Sequence, residues 1–325
     1  MILTRTPFRV SFVGGSTDLP FFYKKCPGAV ISTTIDRYMY IFIHDFFEEK
    51  IQLKYSRVEI VDSANQLEHP IARNVLERMF TIYGKLNLDI NSISDVPKGT
   101  GLGSSSAYTV GLLNALYAYY GKLVSKEALA EEACDIEINK VGSPIGKQDQ
   151  YAAAFGGLNF IEFFYDETVK VTPFDWNCKG RRPLEEVMMF FYVGGSRDAN
   201  SILKTFKAED VKFNNLLELA GLAYQFRNAL MMADIESCGR ILHESWMKKR
   251  EVSNLITNSR IDNYYNLAIK AGAYGGKLLG AGSGGFLLFL VPLDKQDAVR
   301  KALSELREVK FLMERYGSTV MRFGF

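Results

Sequence analysis

The sequence predicts an α+β protein, and the order of its patterns carries that prediction. Short β-branched and aromatic runs dominate residues 2–61, one amphipathic helical pattern follows, and a further strand leads into a glycine loop and a helix. This order is not the regular β-α-β alternation of a parallel sheet. At 325 residues the chain is long enough for two domains. We predict a division into residues 1–185 and 186–325.

Strand patterns come first in the chain. Residues 2–13 alternate well enough to be a strand, which runs into the turn cluster GGSTDLP at 14–20. Residues 70–83 keep their apolar side chains in helical phase and predict an amphipathic helix. A strand at 88–96 then delivers the chain into a glycine loop. Further runs of β-branched and aromatic residues predict strands at 29–32, 38–44, 51–55 and 58–61.

No other segment concentrates glycine and hydroxyl groups as tightly as residues 97–107, PKGTGLGSSSA. Gly99, Gly101 and Gly103 alternate, so the backbone can take positive φ and bring its N–H groups close to a bulky anion. Three serines follow at 104–106, and helical periodicity continues from there. A glycine loop therefore meets a helix N-terminus, where free N–H groups and the helix dipole favour a phosphate.

Two better-known glycine loops do not fit this segment. A P-loop ends in Gly-Lys-Ser/Thr, whereas the lysine here, Lys98, precedes the glycines. A dinucleotide fingerprint needs a third glycine where Ser104 stands. The alternative is a flexible loop that happens to precede a helix. The glycine and serine spacing favours phosphate binding, and the hydroxyl groups suit a phosphate or a magnesium ion.

Two carboxylates and an arginine complete the candidate chemistry. Ser125 is a plausible N-cap, and in the helix that follows it Glu137 lies at the margin of an apolar stripe. Asp149 follows a turn rich in glycine and proline, and it could simply cap a helix that begins near Gln150. Arg9 lies on the first strand, where it is either an edge charge or the cation that an anionic transition state requires.

The second half of the chain is mostly helical and contains a second glycine-rich turn. An apolar strand at 187–193 ends in a turn that carries Arg197, and two long helical stripes follow. Residues 247–250, MKKR, are either a solvated helix end or a partner for a second anion. Residues 277–289, KLLGAGSGGFLLF, favour close backbone approach to a ligand or to the first loop. The last predicted elements are a helix at 294–308 and a strand at 318–323.

Composition argues against several classes of protein. The formal net charge is +2, so no general field draws the chain to nucleic acid or to an anionic membrane. The 4 cysteines include no C-x-x-C pair, which argues against a metal knuckle and a disulfide framework. No run resembles a signal peptide or is long enough to span a bilayer. We expect a cytoplasmic protein whose 3 histidines are packing or surface residues.

Three segments, taken in order, resemble the GHMP superfamily of small-molecule kinases, which includes galactokinase, homoserine kinase and mevalonate kinase. They are residues 5–22, RTPFRVSFVGGSTDLPFF, together with 97–107 and 277–289. The resemblance covers nearly the full length of the chain. It implies an N-terminal domain of the ribosomal S5 domain 2-like α/β fold and a C-terminal ferredoxin-like α+β domain. It also implies ATP and Mg²⁺ as cofactors.

Position by position, the resemblance implies roles for the residues isolated above. Asp149 is the expected catalytic aspartate, twelve residues after the expected magnesium glutamate Glu137. Arg9 is expected to stabilise the transferring phosphoryl group, and Asp18 to grip sugar hydroxyls. The residues expected around the triphosphate are Lys98, Gly99, Gly101, Leu102, Gly103, Ser104, Ser105 and Ser106, of which Ser105 or Ser106 also coordinates magnesium. Those expected around the sugar, besides Asp18, are Gly15, Ser16, Arg197 and Gly282.

Within the superfamily the chain most resembles the kinases that phosphorylate D-glycero-α-D-manno-heptose 7-phosphate at O1. Residues 194–203, GGSRDANSIL, and 246–250, WMKKR, carry this resemblance. It implies transfer of the γ-phosphoryl group of ATP to the anomeric hydroxyl. The product would be the 1,7-bisphosphate used for nucleotide-heptose and surface polysaccharide biosynthesis. Arg197, helped by Lys248 or Lys249, is the expected partner of the 7-phosphate.

Two positions depart from that subgroup, because Ser16 and Ser283 stand where glycine is common. Both residues are small, so close backbone approach survives, but the identity of the sugar is left open. One alternative is a kinase of an unphosphorylated sugar such as fucose or galactose. Another is a sensor that binds sugar and ATP without turnover. A homo-oligomer also stays possible.

Overall fold

The described part of the chain folds into two sheets with helices packed against them. The computed structural model describes residues 1–195, 213–252, 256–280, 282 and 284–324. Numbered in chain order, the strands are β1 (Ile2–Val13), β2 (Gly28–Asp45), β3 (Ile51–Lys54), β4 (Val58–Val61), β5 (Leu88–Ser94), β6 (Leu158–Phe163), β7 (Val169–Pro173), β8 (Met188–Gly194), β9 (Gly275–Leu278), β10 (Gly285–Leu290), β11 (Arg307–Glu308), β12 (Met313–Glu314) and β13 (Thr319–Arg322).

The helices that the structure describes alternate irregularly with these strands. They are α1 (Pro20–Tyr23), α2 (Pro70–Tyr83), α3 (Ser104–Tyr119), α4 (Lys126–Cys134), α5 (Gln148–Phe155), α6 (Arg181–Val187), α7 (Phe213–Met231), α8 (Ile235–Val252), α9 (Ser259–Lys270) and α10 (Gln296–Ala302). A π-helical stretch, Asp135–Lys140, continues α4, and single 3-10 turns lie at Ala64–Gln66 and Leu293–Lys295. In this described part of the chain, no helix is both long and apolar enough to cross a bilayer.

The first sheet is organised around β2. Its main path runs β13-β1-β2-β5-β3-β4; β6 and β12 also pair with β2, and β7 pairs with β6. The sequence predicts two short strands, 29–32 and 38–44, where the structure has one strand of 18 residues. The two runs join because Thr33, Thr34 and Ile35 between them are β-branched and fully buried.

The second sheet has the strand order β11-β8-β10-β9 and an apolar core of its own, with Trp246 and Phe289 in it. The helix predicted over 294–308 is wrong in its second half. The helix ends at Ala302, Leu303 and Leu306 turn into the core, and Arg307–Glu308 pairs with β8. Strands β12 and β13 return to the first sheet, where they pair with β2 and β1. The division of the chain at 185/186 stays a prediction.

Candidate active site

The glycine loop has the backbone conformation that its spacing predicts. Gly99, Gly101 and Gly103 have φ of 77°, 81° and 77°, and α3 begins directly after Gly103. The N–H of Arg9 donates to the Leu102 carbonyl at 3.0 Å, which ties the loop to β1. The Leu102 side chain is buried, so this residue can meet a ligand only through its main chain. The loop thus presents main-chain donors at the N-terminus of a long helix, an arrangement that suits phosphate.

The loop packs backbone to backbone against the second glycine-rich turn. A Cβ added to Gly101 would lie 2.4 Å from the Leu279 carbonyl oxygen, and one added to Gly285 would lie 2.3 Å from that of Thr100. Both distances are too short for a side chain. Of the two alternatives that the sequence left open for the second segment, close approach to a ligand or to the first loop, the structure shows approach to the first loop.

This packing predicts that Gly101→Ala weakens both the fold and ATP binding. The added methyl group clashes with the Leu279 backbone, and alanine is strained at this φ. We expect a loss of roughly 2 kcal/mol in the free energy of unfolding, measured by urea denaturation. We also expect at least a tenfold rise in the Kd for ATP, measured by calorimetry.

Gly121→Ala is the matched control for this prediction. Gly121 has φ of 68°, close to that of Gly101, but none of the described neighbouring atoms lies within 4 Å of the place its Cβ would occupy. It should therefore lose only the roughly 1 kcal/mol that a left-handed alanine costs and should bind ATP normally. Equal effects of the two substitutions would mean that the contact between the glycine segments does not matter.

Arg9 and Asp149, 140 residues apart in sequence, form a bidentate ion pair. Arg9 Nε lies 2.7 Å from Oδ1 of Asp149, and Nη2 lies 2.6 Å from Oδ2. The third guanidinium nitrogen donates to the Gly101 carbonyl at 2.6 Å. Asp149 lies in the first turn of α5, whose N-cap is Lys147, so Asp149 does not cap that helix. A carboxylate and a cation are thereby held together beside the glycine loop.

Asp18 is a second carboxylate at this point. It is 3% exposed and accepts hydrogen bonds from the backbone N–H of Gln148 at 3.2 Å and from its side-chain amide at 3.0 Å. Burial raises its pKa, and the neighbouring Asp149 adds to that rise. Its neighbour Ser16 has φ of 80°, a conformation that favours glycine, so this departure from the subgroup costs local strain.

Glu137 lies behind the serines of the loop and has no exposed surface. Its carboxylate accepts hydrogen bonds from the Ser105 hydroxyl and, at 2.6 Å, from the Gln150 side-chain amide. Burial raises the pKa of Glu137 to about 6, although hydrogen bonds from Ser105, Ser106 and Gln150 oppose the rise. Among the described residues no cation neutralises it. A buried carboxylate of this kind is a natural ligand for a cation that arrives with a substrate.

Arg9, Asp18, Asp149 and the glycine loop line one cavity of about 1000 Å³ that has two chemically different ends. Glu137 is not among its described lining residues and lies behind Ser105 and Ser106, which are. One end is charged and is lined by Asp18, Asp149, Arg9 and two lysines, Lys249 and Lys277. At the other end, the wall is mainly apolar and aromatic. That wall includes Met39, Tyr55, His69, Ile71, Ile93, Val96, Pro97 and Tyr108. The glycine loop lies along the same cavity.

The aromatic end was not assigned from the sequence. Its residues are scattered over four elements and loops, and each has an ordinary structural pattern. His69 fits the predicted packing role, since its Nδ1 accepts from Ala72 N–H at the start of α2 and its ring lies 4.9 Å from those of Tyr55 and Tyr108. Only the folded arrangement reveals an aromatic pocket.

The remaining predicted residues have different positions. Lys98, Gly15 and Ser16 line the cavity. Gly282 packs against the backbone of Ile256 and is not among the described lining residues. Arg197 lies outside the described residues, as does Ser283. Of the two lysines considered as helpers, Lys248 pairs with Glu218, whereas Lys249 faces the cavity.

Four polar residues of the site were missed in the sequence. Gln148 and Gln150 flank Asp149 and orient Asp18 and Glu137, and their place in the polar cluster KQDQ was the available signal. Lys277 and Ser11 gave no signal. Lys277 opens the second glycine segment, and Ser11 belongs to an ordinary strand pattern.

Comparison with known proteins is consistent along the whole chain. Residues 70–157 match the GHMP kinases N terminal domain, and residues 224–309 match the GHMP kinases C terminal domain. D-glycero-alpha-D-manno-heptose 7-phosphate kinase of Campylobacter jejuni subsp. jejuni serotype O:2 is 31% identical over 93% of both chains. Galactokinase of Pyrococcus furiosus is 26% identical over 94% of this chain and 93% of its own.

Solved structures share the fold. A D-glycero-D-manno-heptose 1-phosphate kinase from Bacteroides thetaiotaomicron superposes with a TM-score of 0.84 at 24% identity, covering 100% of both chains. A putative sugar kinase from Campylobacter jejuni superposes with a TM-score of 0.81 at 29% identity, covering 99% of this chain and 98% of the other. The two-domain GHMP kinase fold predicted from the sequence is thus confirmed. By these sequence and structural matches, the chain belongs to the GHMP kinase family and is an ATP-dependent sugar kinase of that family.

Proposed function

We propose that this kinase transfers the γ-phosphoryl group of ATP to the anomeric hydroxyl of D-glycero-α-D-manno-heptose 7-phosphate, giving the 1,7-bisphosphate. The observation that carries the proposal is the meeting of Asp149, Arg9 and Asp18 at the end of the glycine loop, in a cavity that also holds two lysines. A relative named for this reaction, 31% identical over nearly its whole length, supports the choice of sugar.

The two ends of the cavity suggest how the substrates lie. The triphosphate is placed along residues 99–106, where main-chain donors, serine hydroxyls and the N-terminus of α3 converge. The base then extends into the aromatic end and lies against the cluster of Tyr55, His69 and Tyr108, since a flat ring packs well on aromatic side chains. The sugar occupies the charged end beside Asp18 and Asp149.

A magnesium ion fits the donor set at Glu137. Magnesium favours one or two carboxylates with substrate phosphates and water as its other ligands. Glu137 is a fully buried carboxylate, and the Ser105 hydroxyl links it to the loop. In the described part of the chain, no group of three His, Cys, Asp or Glu could hold a metal alone. We propose Glu137 with Ser105 or Ser106 as the protein ligands; the ion would neutralise phosphate charge when bound.

The chemistry of the chain's own residues follows from their contacts. Asp149 is placed to accept the proton of the anomeric hydroxyl as the new O–P bond forms and ADP leaves. Arg9 holds both oxygens of Asp149 and fixes the orientation of that carboxylate. Its guanidinium also lies against the loop at Gly101, where it stabilises negative charge on the transferring group. Asp18 accepts hydrogen bonds from other hydroxyls of the sugar.

An ADP-release assay with ATP and Mg²⁺ tests the proposal. We expect turnover of the heptose 7-phosphate with a kcat/KM at least ~10²-fold above that for mannose, fucose or galactose, since each lost charge-assisted contact costs roughly tenfold or more. Preferred turnover of a free sugar would contradict the proposal and favour a galactokinase-like enzyme, which the 26% identity to an archaeal galactokinase makes the second candidate.

A further inference from the structure

The charged end of the cavity contains cationic groups that the reaction described above does not use. Lys249, on α8, and Lys277, on β9, both line the cavity beside Asp18. In the phosphoryl transfer itself, Arg9 already supplies the positive charge next to Asp149. The two lysines therefore need a separate explanation.

Lys249 has the incomplete contacts of a ligand-binding side chain. Its ammonium donates to the Gly280 carbonyl at 3.2 Å, and among the described residues no carboxylate lies within 4 Å of it. An ammonium group has three donors, so two are left for a ligand. Burial lowers the pKa of Lys249 to about 8. The nearby Arg9 also lowers it, whereas Asp18 and Asp149 raise it. A bound anion beside this lysine would stabilise the charged ammonium and so offset the effect of burial on its pKa.

Ser11 adds an unused hydroxyl at the same place. Its Oγ is buried and has no hydrogen-bond partner within the described structure. A Cβ added to Gly15 would lie 3.6 Å from Lys249 Nζ and 4.0 Å from Ser11 Oγ, so both groups face one small space. Lys277 closes its far side, where its ammonium donates to the Ser11 and Phe12 carbonyls at 2.8 and 2.9 Å. This space, bounded by Ser11, Gly15, Lys249 and Lys277, is called the lysine pocket below.

The position of the lysine pocket indicates which anion it takes. Gly15 belongs to the same turn as Asp18, which we assign to the sugar. The nucleotide phosphates have their own donors in the glycine loop, the serines and Arg9. We infer that Lys249, with the Ser11 hydroxyl, binds the phosphate group that the acceptor sugar already carries and thereby determines the preference for a phosphorylated sugar. This inference rests on the proposed function.

Lys249→Met tests the assignment, because methionine keeps the unbranched stem and removes the charge. We expect the KM for heptose 7-phosphate to rise about 30-fold or more, the scale of a charge-assisted hydrogen bond. We expect kcat to change less than about threefold, because Lys249 does not touch the reacting atoms in the proposed arrangement. The kcat/KM for mannose and the Kd of a non-hydrolysable ATP analogue should stay unchanged.

Two further variants keep the test decisive. Ser11→Ala removes only an unpaired hydroxyl, so it should fold normally and raise the same KM roughly three- to tenfold. Lys248→Met is the matched control, since that lysine is paired with Glu218 outside the cavity and its loss should leave every kinetic constant unchanged. Melting temperatures of all variants show whether the folded state is intact.

The outcomes separate the assignment from the proposed function. If the wild type uses heptose 7-phosphate and Lys249→Met keeps its KM, the assignment is wrong while the proposed function stands. A rise in the Kd of the ATP analogue, or an equal loss with mannose, would place Lys249 on the nucleotide or in the scaffold and would also overturn the assignment. If the wild type uses free sugars alone, the proposed function fails and the assignment with it.

Discussion

Asp149→Asn is expected to lower kcat by roughly 10² to 10⁴, the usual contribution of a positioned general base. Asparagine keeps the shape of the side chain but cannot take the proton of the sugar hydroxyl, and it can accept a hydrogen bond through only one oxygen. The loss should appear in single-turnover phosphoryl transfer as well as in steady-state kcat, since the chemical step itself is slowed.

ATP binding should survive this substitution and even become tighter. Arg9 now gives two of its donors to Asp149, and the change to asparagine releases one of them beside the loop at Gly101. We therefore expect the Kd of ATP, measured by calorimetry, to stay the same or to fall. A sensor that binds ATP without catalysis has no turnover, so in it this substitution could not lower kcat while leaving the Kd of ATP intact.

Asp262→Asn provides the control for loss of an Asp–Arg pair as such. Asp262 pairs with Arg250 at 2.9 Å, outside the cavity that holds Asp149. Its substitution should cost at most about 1 kcal/mol of stability and leave kcat unchanged. Wild-type kcat in Asp149→Asn would show that the ion pair with Arg9 is only structural and that the catalytic assignment is wrong.

The glycine loop was predictable from the sequence because its cause is local. Alternating glycines set the positive φ values within one short segment, and the serines that follow begin the helix. The same holds for α2, whose bounds agree with the helical pattern at 70–83. Short-range sterics and hydrophobic periodicity decide such features, so the sequence alone is enough.

The contacts that make the site reactive join residues far apart in sequence, and local sequence patterns cannot predict them. Arg9 meets Asp149 only because β1 and α5 pack against each other beside the glycine loop. The resemblance to a kinase family named both residues but not their bidentate contact. The basic cluster at 247–250 could be a solvated helix end or a partner for a second anion, and helical periodicity does not tell which of two neighbouring lysines, Lys248 or Lys249, faces a cavity. These facts depend on tertiary packing.

Glu137→Gln is expected to lower kcat roughly 10²-fold or more while making the metal-free enzyme no less stable. Burial raises the pKa of Glu137 from 4.5 to about 6, so the ionised carboxylate destabilises the folded state at pH values above about 6, by on the order of 2 kcal/mol. This cost is absent below about pH 4.5. Glutamine removes it, so at pH 7.5 and without Mg²⁺ the melting temperature should stay the same or rise.

The activity of Glu137→Gln should fall, although its melting temperature should not. If Glu137 holds the magnesium ion, its loss should lower kcat roughly 10²-fold or more, and added Mg²⁺ should no longer tighten nucleotide binding. The second readout does not depend on turnover, because it compares the Kd of ATP with and without the ion. Such a site lowers the stability of the enzyme and supports its function.

Glu132→Gln separates this behaviour from that of an ordinary buried glutamate. Glu132 is also buried, but it pairs with Arg78 and accepts from the Tyr117 hydroxyl at 2.7 Å. Removing its charge breaks the pair between a buried carboxylate and Arg78 and leaves the arginine only Asp135, at 3.2 Å, so the melting temperature should fall while kcat is kept. If the melting temperature rises in Glu137→Gln and falls in Glu132→Gln, then Glu137, unlike Glu132, lacks a cationic partner in the free enzyme. The magnesium ion that arrives with the substrate would be that partner. A fall in stability at both, with activity retained, would make Glu137 a structural residue.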